Sequence, residues 1–239
     1  MDLRKTLKPG VEYFQKKGVI TVLDRHVLSP RNLFNRDYYN RVSLFLDLAE
    51  DRIVIPFFFR ASPKRHYHAI SNLVSHTRGK SVLEIACGSG NIIKSLGPDV
   101  SYTGLDISEK LLAKALKRIR RSNISDYLFF HADALDLPFN DKIFDLVVCN
   151  ISLHFIQDYS RAIREISRVL KPGGVFVGSN PVIGISPGYD ALWKKMSRKT
   201  LRWGTPFHEA DLKRSCVSAG LSYEHTGANG SLIYFRAVK

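Results

Sequence analysis

Cysteine is scarce in this chain: Cys87, Cys149 and Cys216 are the only three in 239 residues. They are odd in number, widely separated and without a CxxC pair, which argues against a disulfide framework and against a structural zinc site. Acidic residues are also few, 22 against 36 Lys and Arg, for a net charge of +14. Long apolar stretches are missing too. The longest, Ile53 to Phe59, is interrupted by Pro56 and falls far short of the ~20 residues that cross a bilayer. The opening MDLRKTLKPG has charges but no apolar core of a secretory signal. There is no internal repeat and no low-complexity tract. These absences predict a soluble, cytoplasmic protein.

What is present is ordinary globular composition, 44% hydrophobic and 24% charged, long enough for one sizeable core with or without an appendage. The charge is unevenly spread. Residues 1–80 hold 15 Lys/Arg against 7 Asp/Glu, residues 81–180 hold 12 against 11, and residues 181–239 hold 9 against 4. A near-neutral centre between basic flanks can steer an anionic substrate, RNA or a membrane surface; it can equally serve solubility alone.

From residue 81 strand-like and helix-like segments alternate. SVLEIA (81–86), YTGLDI (102–107), YLFFHA (127–132), FDLVVCN (144–150) and GVFVGSN (174–180) are short, apolar and rich in β-branched and aromatic residues, which favours strands. Between them, Glu109 to Arg121 sets Leu111, Leu112, Ala115, Leu116 and Ile119 on one helical face, with Ser108 as N-cap. Its basic end, Lys117 to Arg121, suits a helix C-terminus. Tyr159 to Leu170 is a second amphipathic helix, stopped by Lys171-Pro172-Gly173-Gly174. Helices are also expected over 189–200 and 208–219, followed by an antiparallel pair, 221–226 and 231–238, turning at Gly227, Asn229 and Gly230. Residues 1–80 stand outside the alternation. Tyr38-Tyr39 and Phe57-Phe58-Phe59 lie there among Arg and Lys, and the segment reads as a partly helical cap. The pattern predicts an α/β domain over 81–239, with a mostly parallel sheet and helices on both faces.

The stretch that carries chemistry is Val82-Leu83-Glu84-Ile85-Ala86-Cys87-Gly88-Ser89-Gly90-Asn91. An apolar strand enters a turn of small residues and a helix is expected from Asn91, an arrangement that lets backbone approach a nucleotide-like ligand. Asp106, at the end of the next strand, sits 22 residues past Glu84, near the ~20-residue spacing at which a carboxylate meets ribose hydroxyls. A dinucleotide fingerprint would need glycine or alanine at position 93, where the chain has Ile93.

The string Glu84-x-Ala86-x-Gly88-x-Gly90 instead resembles motif I of the class I S-adenosylmethionine-dependent methyltransferases. The resemblance extends through Asp106, His131-Ala132-Asp133-Ala134 with Leu137-Pro138-Phe139, Phe144-Asp145-Leu146-Val147-Val148 and Leu170-Lys171-Pro172-Gly173-Gly174, in the expected order over about 80–180. The string looks most like the members that act on small molecules, including quinone-biosynthesis enzymes. Such a family implies a Rossmann-like seven-stranded sheet whose last strand pair is antiparallel, and S-adenosylmethionine as cofactor. It also implies that Gly88 and Gly90 flank the methionine part of the cofactor, with Glu84 at its amino end. Asp106 would then hold the ribose and Ile107 pack on adenine. Asp133 and the Ala134 N–H would meet the adenine amino group, and Asn150 would line the transfer site. Asp133 also reads as a turn-forming residue and Asn150 as a strand-end cap. Ala86 replaces the first motif glycine and is small enough to be tolerated. Upstream, Asp37-Tyr38-Tyr39-Asn40 resembles a Tyr-Asp lead-in, with Asn40 in place of the acid; Tyr39 is a candidate pocket residue or a core aromatic.

Methyl transfer from a sulfonium needs alignment more than acid–base help. If the acceptor must lose a proton, His154, just past the fourth strand, is the candidate base, because histidine titrates near neutrality. It reads equally as a histidine that packs against or caps a helix. His66, His68, His131 and His208 are weaker candidates. The expected acceptor is a small molecule, an apolar aromatic or quinone-like one. An RNA methyltransferase is the rival reading, given the basic flanks, although Asn150-Ile151-Ser152-Leu153 is unlike the Asn-Pro-Pro-Tyr type string of many base N-methylating enzymes. A non-catalytic cofactor-binding partner subunit is the third. The cap itself, with Ile53–Phe59 beside Arg60, Lys64 and Arg65, could close over the cleft or rest on an anionic membrane.

Overall fold

The structure is a computed structural model that describes residues 3–22, 30–43, 45–75, 77, 79–197, 204–205 and 207–239. The β-branched and aromatic runs become strands: β1 (Phe14–Lys16), β2 (Val19–Thr21), β3 (Ser81–Ile85), β4 (Ser101–Asp106), β5 (Asp126–His131), β6 (Phe144–Asn150), β7 (Leu170–Pro181), β8 (Ser222–Asn229) and β9 (Leu232–Val238). Among the described residues they form one sheet in the order β1-β2-β5-β4-β3-β6-β7-β9-β8. Pairing is parallel from β2 through β7 and antiparallel at both ends. The strand order reverses at β3, which opens a crevice at its carboxyl end.

Among the described residues, eight α-helical segments accompany the strands: α1 (Leu3–Thr6), α2 (Pro30–Val42), α3 (Leu46–Ala49), α4 (Pro63–Leu73), α5 (Glu109–Ile119), α6 (Tyr159–Val169), α7 (Pro187–Ser197) and α8 (Glu209–Ser218). A π-helical stretch, Glu50–Phe58, runs on from α3. Adjacent strand residues point to opposite faces, so Leu83, Ile85 and Val147 enter one core with α6 and α8, while Val82, Leu146 and Val148 enter the other with α4, α5 and α7. In α6, Ile163 and Ile166 are fully buried. β-Branching costs each a few tenths of a kcal/mol in helix propensity, whereas burial contributes ~1.5–3 kcal/mol; packing decides the element. Ser108 Oγ accepts from Leu111 N at 3.3 Å and so caps α5 as the sequence predicts.

Three features depart from expectation. The sheet has nine strands where the sequence predicts seven, because residues 14–21 form a hairpin whose β2 pairs in parallel with β5, Ile20 opposite Phe130. Its turn places Lys17 at φ 52° and Gly18 at φ 85°, the left-handed pair that a two-residue hairpin turn requires. The predicted helix after Asn91 is a short 3-10 segment, Asn91–Ser95, stopped before Gly97-Pro98, which cannot continue it. β7 begins at Leu170, opposite Phe144, and Gly173 and Gly174 exchange backbone hydrogen bonds with Lys239. The breaker cluster is therefore absorbed as an irregularity in the strand. The C-terminal hairpin forms, but its turn is Gly230–Ser231; Gly227 and Asn229, expected in the turn, are paired within β8, opposite Tyr234 and Leu232. Of the helix expected over 189–200, the last three positions lie outside the described residues.

The centre of the sheet tolerates no extra atoms at one point. A Cβ on Gly178 would sit 2.1 Å from the Cys149 carbonyl oxygen on the paired strand. Gly178→Ala is expected to destabilise the fold by ~2–3 kcal/mol, since overpacking against backbone forces strands apart. Urea denaturation measures this, and a change below ~0.5 kcal/mol would contradict the packing described.

Candidate functional site

Two loops meet where the strand order reverses. After β3 the chain turns through Ala86 (φ 52°), Gly88 (φ 54°) and Gly90 (φ 79°). Ala86 holds a left-handed conformation that costs an L-residue roughly 1–2 kcal/mol, so the position that lost its glycine keeps the glycine geometry. A Cβ at Gly90 would meet Ile93 Cδ1 at 2.5 Å and Ala115 Cβ at 3.2 Å. Gly90 thus lets the loop lie on α5. After β4 the chain turns at Asp106. Its Oδ2 accepts from Gly88 N and its Oδ1 from Ser108 N, both at 2.8 Å. One carboxylate thereby fastens both loops. Burial raises the Asp106 pKa to about 6, against the downward pull of those amides. Glu84 is buried in β3; burial lifts its pKa to about 8, although Tyr102 Oη donates to it at 2.5 Å.

These carboxyls line a cavity of about 230 Å³ at the carboxyl ends of the strands. Ala86, Gly88, Ile107, Asp133, Ala134 and Asn150 complete its floor. Every cofactor-site residue expected from the sequence lines it except Gly90, which supports the loop from behind. Asp133 Oδ1 accepts from Leu135 N at 3.0 Å, the turn-forming bond, while its Oδ2 accepts from Asn32 Nδ2 at 2.6 Å. Asn150 Oδ1 accepts from Ser179 Oγ at 2.6 Å, and its amide lies 3.4 Å from His66 Nε2. Tyr39 lines the cavity with its ring edge-on to Phe155, centroids 5.7 Å apart. Asn40 does not take part as a floor acid: its Oδ1 accepts from Ser108 Oγ at 2.7 Å, which ties α2 to the start of α5.

His154 also lines the cavity. Asn180 Oδ1 accepts from the His154 backbone N–H at 3.2 Å, and Asn180 Nδ2 donates to Pro181 O at 2.8 Å. That orients the amide, so the ring Nδ1, 3.1 Å from the same Oδ1, carries the proton and Nε2 keeps a lone pair. Burial moves the His154 pKa down to about 3, far from the near-neutral titration the sequence suggested. The other histidines stand elsewhere. His66 is buried against Tyr234 Oη at 3.1 Å. His131 Nε2 meets Ile107 O at 3.0 Å, His68 lies beside Asn72, and His208 precedes α8 as its N-cap.

Of the roof, the sequence reading had the aromatic cap segment, Tyr38-Tyr39 and Ile53–Phe59, and missed the polar lining residues and α7 as a wall. Asn32 and Asn35 of α2, Glu50, Val54 and Phe58 of the π-helical stretch, and Tyr189 and Trp193 of α7 all face the cavity. Glu50 is raised to about 7, by burial first and then by Asp51 and Asp47. No motif marks these positions; the two asparagines and Glu50 sit in polar runs that read as helix surface. Asp47 accepts from Ser89 Oγ at 2.5 Å and pairs with Lys114 and Arg118, pinning roof to floor. Among the described residues, no three His, Cys, Asp or Glu side chains gather as a metal site.

Comparison with known proteins agrees with this geometry. Residues 83–178 match the methyltransferase domain family. A demethylmenaquinone methyltransferase of Listeria welshimeri is 31% identical over 133 residues, 54% of this chain and 55% of that one. One from Staphylococcus aureus is 34% identical over 125 residues, 49% and 51% of the two chains. The chain thus spans about half the length of the curated relatives it matches. Among solved structures, YcgJ of Bacillus subtilis superimposes with a TM-score of 0.63 at 17% identity, covering 73% of this chain and 99% of its own. A phosphoethanolamine N-methyltransferase of Haemonchus contortus, solved with S-adenosylhomocysteine, gives 0.65 at 17% identity, over 85% and 60%. The solved structures carry the fold, and the family match carries a methyltransferase domain over residues 83–178, through which the motifs read from the sequence run in order.

Proposed function

We propose that the protein is a cytoplasmic enzyme that methylates a small, apolar, aromatic or quinol-like acceptor. One observation carries the acceptor class: the cavity above the carboxylate floor is walled by Tyr39, Phe58, Phe155, Tyr189 and Trp193, surfaces that take a flat apolar ring. The names of the relatives point the same way. Three buried, unpaired cysteines accord with a reducing compartment. Within residues 1–80, β1 and β2 extend the main sheet, while α2 and the π-helical stretch supply most of the roof and select the acceptor above the cofactor-binding domain of residues 81–239.

The floor fits the cofactor chemically. Glu84 and Asp106 are buried carboxyls whose ionised forms lack a compensating cation close by and are raised accordingly; an ammonium at Glu84 and ribose hydroxyls at Asp106 would supply what burial removed. In this assignment Ala86, Gly88 and Gly90 shape the loop beside the methionine part, Ile107 packs on adenine, Asp133 and the Ala134 N–H meet its amino group, and Asn150 faces the transfer site. When bound, S-adenosylmethionine supplies an electrophilic methyl group on a sulfonium. The chain then has to align the acceptor and exclude water. His154 presents a neutral Nε2 lone pair to the acceptor and orients its O–H; its low pKa leaves it a hydrogen-bond acceptor rather than a stored proton.

Asp106→Ala is expected to weaken S-adenosylmethionine binding by ~2–4 kcal/mol, the loss of charge-assisted bonds partly offset by solvent. Calorimetric affinity within threefold of wild type would take Asp106 out of the site. Glu84 is mostly protonated at pH 7, since its pKa is raised to about 8. A cation bound beside it favours its ionised form, so binding should release a proton and tighten as pH rises from about 6 to 8. Calorimetry in buffers of different ionisation heat reads that proton directly; uptake instead of release would contradict the assignment.

Incubation with methyl-labelled cofactor and cell extract tests the reaction. Label is expected in the lipid or small-molecule fraction. Label in RNA would favour the nucleic-acid reading, and none at all a non-catalytic partner subunit. With the acceptor in hand, His154→Ala should lower turnover ~10²–10³-fold with cofactor affinity unchanged, and the wild-type rate should show no ionisation near pH 6.5.

A further inference from the structure

The π-helical stretch has two faces. Glu50, Val54 and Phe58, each four residues apart, look into the cavity. On the outside Ile53 and Phe57, also four apart, are 51% and 65% exposed. Phe45 and Leu48, just before it, are 69% and 58% exposed. Four large apolar side chains on one short segment are not the scattered exposure of an ordinary surface. Beside them lies a groove of about 610 Å³ lined by Lys94, Lys114, Lys117, Arg118 and Arg121, with no carboxylate among its lining residues.

The two features are contiguous. Asp47 of α3 pairs with Lys114 at 3.3 Å and Arg118 at 3.2 Å. Lys94 stands 4.2 Å from the centre of the Tyr67 ring, whose hydroxyl donates to Asp51 of the π-helical stretch. Arg41 and Arg52 are exposed on the same segment. Asp47 and Asp51 are thus engaged within the protein, Asp47 by Lys114 and Arg118, while Lys117 and Arg121 of the groove are exposed.

We propose that this face docks on an anionic lipid bilayer, with Phe45, Leu48, Ile53 and Phe57 entering the interface and Lys117 and Arg121 of the groove meeting phosphate headgroups. Aromatic and aliphatic side chains rimmed by Lys and Arg are the surface that an interface of this kind takes. The charge complements the bilayer, and the arrangement explains why the apolar residues sit on the outer side of the cavity roof. An apolar acceptor dissolved in the bilayer would meet the one wall that separates lipid from the site. The inference goes beyond the proposed reaction and does not need turnover to be tested.

The experiment is co-sedimentation of the full chain with vesicles of phosphatidylcholine alone or with about a third phosphatidylglycerol. Binding is expected only to the anionic vesicles and should weaken steeply as salt rises from about 0.05 to 0.5 M. Lys117→Gln/Arg121→Gln should lower the partition coefficient at least tenfold, at about fivefold for each cation removed. Ile53→Ser/Phe57→Ser should lower it comparably, and both variants should bind S-adenosylmethionine as wild type does. Absence of binding at low salt, or either variant binding like wild type, would overturn the proposal. So would retention by single-stranded RNA with no vesicle binding, which would assign the groove to nucleic acid. None of these results bears on methyl transfer, which the labelling experiment decides separately.

Discussion

The site depends on the Asp106 carboxylate. Its two oxygens take the Gly88 and Ser108 amides, which lie on the loops after two adjacent strands. The parallel pairing of β3 with β4 ends at Ile85 and Leu105, and beyond it Cys87 N donating to Leu105 O at 3.0 Å adds a backbone tie to those the carboxylate makes. A buried anion that accepts two backbone donors is strongly directional, since each unmade bond would leave a desolvated group. Ser108, so placed, caps α5 and also donates to Asn40 of α2. A single side chain thereby sets the floor, the first turn of a helix and the seat of the roof.

The roof is built by different means. The buried residues of α2 are Asn32 and Asn35, which bond Asp133 and the Phe155 carbonyl, whereas the π-helical stretch sets Ile55 in the second core and is pinned through the adjoining Asp47 to Ser89, Lys114 and Arg118. Exposed or half-exposed ion pairs of this type contribute little each, ~0–1 kcal/mol. Pro56 lies inside the π-helical stretch, where its missing N–H removes a further bond.

The floor was legible in the sequence because its chemistry sits at strand ends. Glu84, Ala86, Gly88, Asp106 and Asp133 each follow or close a short apolar run, and period-two burial locates such ends within a residue or two. The C-terminal hairpin was legible for the same reason. The first hairpin was not, since its strands are three residues long and its turn, Lys17-Gly18, carries no Asn-Gly signal. The polar part of the roof was illegible for a deeper reason. Asn32, Asn35 and Glu50 read as solvent-facing helix positions, and what makes them line a cavity is where the sheet happens to lie beneath them. His154 shows the limit for a residue found correctly: its position followed from the strand before it, but its pKa followed from burial and from Asn180, 26 residues away.

The roof has its second fastening at the far end of the chain. Phe59 O accepts from both Ser231 N, at 2.8 Å, and Ser231 Oγ, at 3.1 Å, while Asn229 is hydrogen-bonded to Ser62 in both directions. These partners belong to the last hairpin, 167 or more residues downstream. A ribosome has therefore finished the entire floor before it releases the clasp for the segment that covers it. The cover is thus fastened at this end only once residues 229–231 have been made, so completing the pocket waits on that hairpin.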